Sequence, residues 1–193
     1  MDDFKKLKIT NYLQIRDQIR TGDTLTFSGK GLWSNSIEKI TDSNASHVAV
    51  IIRDDRCNRI MVYESLEPDG VRYVPLSLHL KEYKGEIIIL RHKNFPKRVN
   101  YKKIGKIYDT FGKKYDKKEL VRILWRRILE DIGLKKLFNL KFKPNINDLY
   151  ICSEAWKSFY ELFKVNIPYN EDGTIVPADS LKNNDFEFIC RIK

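Results

Sequence analysis

The run Val48-Ala49-Val50-Ile51-Ile52 constrains the fold more than any other part of the chain. Five consecutive apolar residues, four of them β-branched and stiff at χ1, are too few for a helix and suit a central strand buried on both faces. The polar loop Thr41-Asp42-Ser43-Asn44-Ala45-Ser46 precedes it. The turn-like Asp54-Asp55-Arg56-Cys57-Asn58-Arg59 leads from it into Ile60-Met61-Val62-Tyr63-Glu64, so the two apolar runs read as a hairpin. Thr24–Phe27, Val71–Val74, Ile87–Leu90 and the alternating Phe186–Cys190 supply further strands. Their short connections predict a mostly antiparallel sheet.

Helical spacing marks the rest. Apolar positions within residues 4–20 predict one or two short amphipathic helices, and further helices are expected over Ser34–Ile40, Tyr101–Phe111, Lys118–Ile132 and Leu149–Phe163, with a helical turn after Pro75 running through Leu80. No repeat or linker divides the chain, so the expectation is one α+β domain over residues 1–193 with a helical insertion at 117–148.

Composition narrows the function classes. With 42% apolar and 32% charged residues, disordered, collagenous and low-complexity classes are excluded. A chain of 193 residues buries about 70% of the surface its unfolded form exposes. No apolar run nears the roughly 18 residues of a membrane span, and Met1-Asp2-Asp3-Phe4-Lys5-Lys6 has neither the basic nor the apolar region of a signal peptide; a cytoplasmic location is expected. The three cysteines, Cys57, Cys152 and Cys190, are odd in number and lack metal-ligand spacing, which argues against a disulfide framework or a zinc site. No metal or cofactor is expected.

Charge is concentrated. Between Lys97 and Lys143 there are 16 Lys or Arg against 5 Asp or Glu, whereas the whole chain carries +10, so the remainder is close to neutral. Arg122, Arg126 and Arg127 lead the candidates for binding a polyanion, with an anionic membrane surface as one partner and a solvated helical face as the plain alternative. Nucleic acid is less favoured, since no helix-turn-helix or aromatic-rich single-strand signature is present.

Chemistry centres on Cys152, in Tyr150-Ile151-Cys152-Ser153-Glu154-Ala155-Trp156, near the predicted start of a helix whose Ala155, Trp156, Phe159 and Phe163 form a stripe. Unpaired N–H groups and the helix dipole at such a start favour a thiolate and an oxyanion. A buried cysteine is also a common small core residue. His47 stands where the polar loop meets the central strand, and Glu64 ends the partner strand, so a hairpin centred near Asp55 and Arg56 sets them nearly opposite at its open end. Directly opposed residues have Cβ atoms about 5 Å apart, close enough for the carboxylate to orient the imidazole as a general base. His79, in Leu78-His79-Leu80, and His92, in Arg91-His92-Lys93, read as surface histidines. Cys57 reads as an exposed thiol and Cys190 as a packing residue.

At these residues the chain resembles a family. Gly22-Asp23-Thr24-Leu25-Thr26-Phe27, Ser46-His47-Val48-Ala49-Val50, Val62-Tyr63-Glu64-Ser65, Gly112-Lys113-Lys114-Tyr115-Asp116 and Tyr150-Ile151-Cys152-Ser153-Glu154 follow in the order seen in the YiiX/YebB-like enzymes. Those are circularly permuted members of the NlpC-type superfamily of papain-fold cysteine hydrolases, and the resemblance spans about residues 21–192. It implies a permuted papain-like fold, with the sheet packed on a nucleophile-bearing helix, and it assigns Cys152 as nucleophile, His47 as general base and Glu64 as the polar third member. Tyr115 and Tyr150 are candidate oxyanion donors. The expected activity is cleavage of an acyl bond: the amide of a small peptide or cell-wall fragment, or a lipid ester or thioester. Two alternatives stay open, an acyltransferase using the same residues and a non-catalytic basic module for nucleic acid or anionic membrane.

Overall fold

The computed structural model describes residues 9–28, 43, 45–131, 150–170 and 173–192. The helix expected over Ser34–Ile40 and the stretch from Ile132 to Leu149 lie outside them. In chain order the elements are β1 (Ile9–Thr10), α1 (Tyr12–Ile15) with a 3-10 turn after it, β2 (Asp23–Ser28), β3 (His47–Asp54), β4 (Arg59–Leu66), β5 (Gly70–Pro75), α2 (Leu76–Glu82), β6 (Glu86–His92), α3 (Tyr101–Tyr108), α4 (Lys117–Asp131), α5 (Cys152–Leu162), α6 (Asp179–Lys182) and β7 (Phe186–Ile192).

The strands form one seven-stranded sheet in the order β1-β7-β6-β2-β3-β4-β5. Every pairing is antiparallel except the short β1–β7 contact. Only residues 12–18 of the amino-terminal region are helical among those described, because residues 9–10 are drawn into the sheet beside β7.

Period-two alternation explains why the Val48–Ile52 run has no polar member. Val48, Val50 and Ile52 face one side with Tyr63, Ile88 and Leu90, against Ala155, Trp156, Phe159 and Tyr160 of α5. Ala49 and Ile51 face the other with Leu25, Phe27, Val62 and Ile89, against Ile15, Ile19 and Leu76. Both faces are covered, so both parities must be apolar.

Polar bonds set the position of α5 on the sheet. Trp156 Nε1 donates to Thr24 Oγ1 at 2.8 Å, and Tyr160 OH donates to the Gly22 carbonyl at 2.6 Å, both in the interior. Fully buried aromatics such as Phe159 each remove roughly 150–250 Å² from water, and truncating one to Ala costs about 3–5 kcal/mol. A smaller cluster of Ile123, Ile151, Val176 and Ala178 joins α4 to the start of α5.

Candidate active site

Local chemistry decides where α5 begins. Tyr150 forms a parallel bridge with Tyr115, which holds the backbone extended, and Ile151 keeps an extended conformation as the N-cap residue. The Glu154 carboxylate reaches back to accept the Ile151 N–H at 3.0 Å. The helix therefore starts at Cys152, later than the predicted Leu149, and the cysteine is its first residue. The first intrahelical bond is Ala155 N–H to the Ile151 carbonyl at 3.1 Å, which leaves the Cys152 and Ser153 N–H groups without an acceptor among the described residues. Ser65 Oγ donates to the Tyr150 carbonyl at 2.6 Å, so the approach to the cysteine is fastened to the strand residue next to Glu64.

His47 opens β3 and meets Glu64 by a diagonal route. The β3–β4 ladder runs from Asp54↔Arg59 to Val50↔Tyr63, and one further step sets Ala49, not His47, across from Glu64. His47 is two residues beyond that, on the same face, and its side chain spans the offset: Nε2 donates to Glu64 Oε2 at 2.7 Å. The two are thus nearly opposite, as diagonal neighbours, a distance that a long side chain covers.

Glu64 holds more than one partner. It is fully buried. Its other oxygen accepts from Arg72 Nε at 2.7 Å, from the residue directly opposite on β5, and from His79 Nε2 at 2.8 Å. A carboxylate only accepts, so both imidazoles carry a proton on Nε2, and for His47 Nδ1 is the nitrogen left for the thiol. The Phe27 ring lies beside both imidazoles, with centroids 5.1 Å from His47 and 5.3 Å from His79.

Electrostatics follow from this geometry. Burial alone would raise the Glu64 pKa, but hydrogen bonds to and charges on His47 and His79 outweigh it and hold the carboxyl far below the usual range. For His47, burial disfavours the charged ring, yet hydrogen bonding to Cys152 and Glu64, reinforced by their charges, raises its pKa to about 10. The imidazolium is favoured at neutral pH.

Two histidine readings are overturned. His79 is a largely buried partner of Glu64, because α2 folds back over the β4–β5 end. His92 is also buried, 4.9 Å by ring centroid from Phe186 and 5.7 Å from Tyr160, and desolvation lowers its pKa. Cys57 is exposed and Cys190 buried, as expected. His79 and Arg72 are the residues that sequence reasoning missed at this site. The only local signal for Arg72 was its place in a strand next to the hairpin; His79 offered none.

A hollow of about 20 Å³ adjoins Cys152, walled by Leu120, Ile123, Ile151, Ile175, Val176 and Pro177, with Tyr115 at its side. Burial, and then negative charge at Cys152, push the Tyr115 phenol well above its ordinary pKa, so it stays a donor. Tyr150 is not part of that wall, and its ring lies under Lys113 Nζ at 5.2 Å. Arg122 is exposed, with an ion pair to Glu119 at 3.7 Å. Arg126 and Arg127 are on the α4 backbone, and their side chains are outside what is described.

The family model for the permuted papain-like amidases, YaeF/YiiX, C92 family, matches residues 18–120, more than half of the chain. The protein belongs to that family. The match includes His47, Glu64, Arg72 and His79 and stops short of Cys152. Among solved structures, the crystal structure of the metalloprotein YiiX from Escherichia coli O157:H7 is similar at 20% identity and a TM-score of 0.50, covering 76% of this chain and 67% of that one. No curated protein matches the sequence. The C92 chain therefore has the permuted papain-like fold, with a mostly antiparallel seven-stranded sheet and helices, and is a papain-like amidase by family. Among the described residues no three His, Cys, Asp or Glu side chains converge as a metal site, and no helix is long and apolar enough to cross a membrane.

Proposed function

We propose that the protein is a cysteine amidase acting through Cys152, His47 and Glu64 on substrates whose acyl part is apolar. The observation that carries this is the His47 ring, whose Nε2 is bound to a buried carboxylate and whose charged form is favoured by Glu64 and by the Cys152 thiol that opens α5. Cys152 Sγ attacks the carbonyl carbon, and the N–H of Cys152 and the Tyr115 hydroxyl serve as oxyanion donors. His47 delivers a proton to the leaving amine as the C–N bond breaks. Water, deprotonated by His47, then cleaves the thioester to release the acid. The small apolar hollow beside the sulfur favours an apolar acyl group next to the scissile carbonyl over a charged one.

Intact-protein mass spectrometry with a short-chain p-nitrophenyl ester and the matching anilide tests this reading. The expected result is a burst of nitrophenol and an acyl adduct on Cys152, both absent from Cys152→Ala. With limiting iodoacetamide at pH 7, labelling of Cys57 or Cys190 ahead of Cys152 in folded protein would overturn it.

A further inference from the structure

A second cavity, of about 490 Å³, lies at the opposite end of the sheet from His47. It is framed where β2 begins and where β3 and β6 end, by Gly22, Asp23, Arg53, Arg91 and His92, and closed by the segment 93–99. His47 and Arg53 are six residues apart on β3. At roughly 3.3 Å per residue that is about 20 Å, and no residue is shared with the hollow at Cys152.

Its wall carries an excess of positive charge. Six basic side chains face three acidic ones. Arg91 answers Asp23 with two bonds, at 2.7 and 2.8 Å, and Arg53 answers Asp55 at 2.7 Å. Arg20, Lys97 and Arg98 make no side-chain hydrogen bond or ion pair among the described residues, although the charge of Arg20 is felt by Asp23. Lys93 Nζ donates only to the Asn184 carbonyl, which leaves its charge unbalanced.

Unused donors point the same way. The backbone N–H groups of Lys97, Arg98 and Val99 make no bond among the described residues, and the eight-residue helix α3 starts at Tyr101 on the cavity wall, adding its positive end. His92 Nδ1 accepts the Asn94 N–H at 3.1 Å, so Nε2 bears the proton; that nitrogen is buried with no partner. A buried donor without an acceptor is costly, and His92 is one of the residues that line this cavity. Phe95, Pro96, Val99 and Tyr101 give the same cavity an apolar side.

We propose that this cavity binds a phosphate-bearing small molecule, its anionic group held by Arg20, Lys97 and Arg98. Several separate cations and free N–H groups supply more charge and donors than one carboxylate uses, and a tetrahedral phosphate has the acceptor oxygens to engage them. The volume suits a small ligand rather than a polymer.

Calorimetry at low ionic strength with inorganic pyrophosphate, together with co-sedimentation on phosphatidylcholine vesicles with and without phosphatidic acid, tests the proposal. Wild type should bind pyrophosphate saturably, Arg20→Glu with Arg98→Glu should bind it at least about tenfold more weakly, and Arg122→Glu should match wild type. Lys97→Gln, a milder change, should fall between. Iodoacetamide labelling of Cys152 should stay at the wild-type rate in all of these. Phosphatidic-acid binding that is lost in the double variant identifies a lipid headgroup as the source; pyrophosphate binding with vesicle binding unchanged in the double variant identifies a free phosphate compound. Absence of saturable pyrophosphate binding, or equal weakening by Arg122→Glu, would overturn the proposal.

Discussion

Glu64 and Asp23 are both buried carboxylates on this sheet, on β4 and β2 with β3 between them, and their acidities move in opposite directions. Each accepts three hydrogen bonds. Glu64 takes all three from side chains that are or can become cationic, His47, His79 and Arg72. Asp23 takes two from a single guanidinium and one from the Arg20 backbone N–H. At Asp23 desolvation outweighs its hydrogen bonds and the charges of Arg91 and Arg20, and the pKa rises; at Glu64 the hydrogen bonds to and charges on His47 and His79 overcome it, and the carboxyl stays ionised. Burial of an acid is therefore not what marks the candidate site. Convergence of two imidazoles on the acid, strong enough to outweigh that burial, is.

The largest expected effect tests whether the Glu64 end is the chemical one. Cys152→Ala or His47→Ala should lower kcat/KM by about a thousandfold or more. Adding Glu64→Gln to His47→Ala should cost little further, since residues that act as one unit are strongly non-additive. Independent, multiplying losses in steady-state kinetics would separate Glu64 from the pair.

Glu64 itself should show two separable effects. Glu64→Ala strands two imidazoles and leaves Arg72 with Asp69 alone, and should destabilise the fold by about 3–5 kcal/mol in urea titration. Glu64→Gln should keep the fold but remove the charge that helps raise the His47 pKa to about 10. An active thiolate–imidazolium pair is lost once the ring deprotonates, so the alkaline limb of kcat/KM, near pH 10 in wild type, should move to lower pH. An unmoved limb would show that Glu64 does not tune His47. His79→Asn, which removes one of the supports, should produce the same shift in smaller measure, with about a tenfold loss of activity.

Asp23→Asn sharpens the contrast from the other side. It should cost about 1–3 kcal/mol, because the Arg91 guanidinium loses its charged acceptor, and leave turnover unchanged. The pH dependences should have opposite signs. Glu64, depressed in the folded state, stabilises fully above its ordinary value of 4.5 and loses that contribution as pH falls further. Asp23, raised in the folded state, favours the fold at low pH and loses that as pH climbs past 3.8. Acid denaturation of the two variants against wild type would reveal both slopes.

The smallest effect belongs to α4. Charge reversal of Arg122 and Arg126 should spare ester turnover and weaken co-sedimentation with anionic vesicles by about fivefold, about 1 kcal/mol in all. Loss of turnover in the folded variant would place α4 in substrate binding.

Much of this was legible in the sequence, and the reason is local. Val48–Ile52 had to be a central strand because β-branched residues without a polar member fit only a doubly covered position. His47 and Glu64 came to one end because a hairpin relates residues by counting from its turn. Cys152 stood near a helix start because the capping chemistry, with Glu154 two residues on, lies within a few residues of it.

What the tertiary structure alone decided is where distant side chains converge. The Leu78-His79-Leu80 pattern is satisfied equally by a surface helix and by one folded over the sheet end; only the path after Pro75 turns His79 onto Glu64 at 2.8 Å. His92 sits among charged neighbours, Arg91 and Lys93, yet strand parity turns it inward between Phe186 and Tyr160. The pairing of Asp23 with Arg91 joins residues 68 apart through the β2–β6 ladder, and the cationic cavity gathers residues 20–23, 53–55 and 91–101 with Glu187. Short-range patterns set each strand and helix because backbone preference and periodicity act over a few residues, whereas the charge on a buried carboxylate is settled by which cations the whole fold brings within about 3 Å of it.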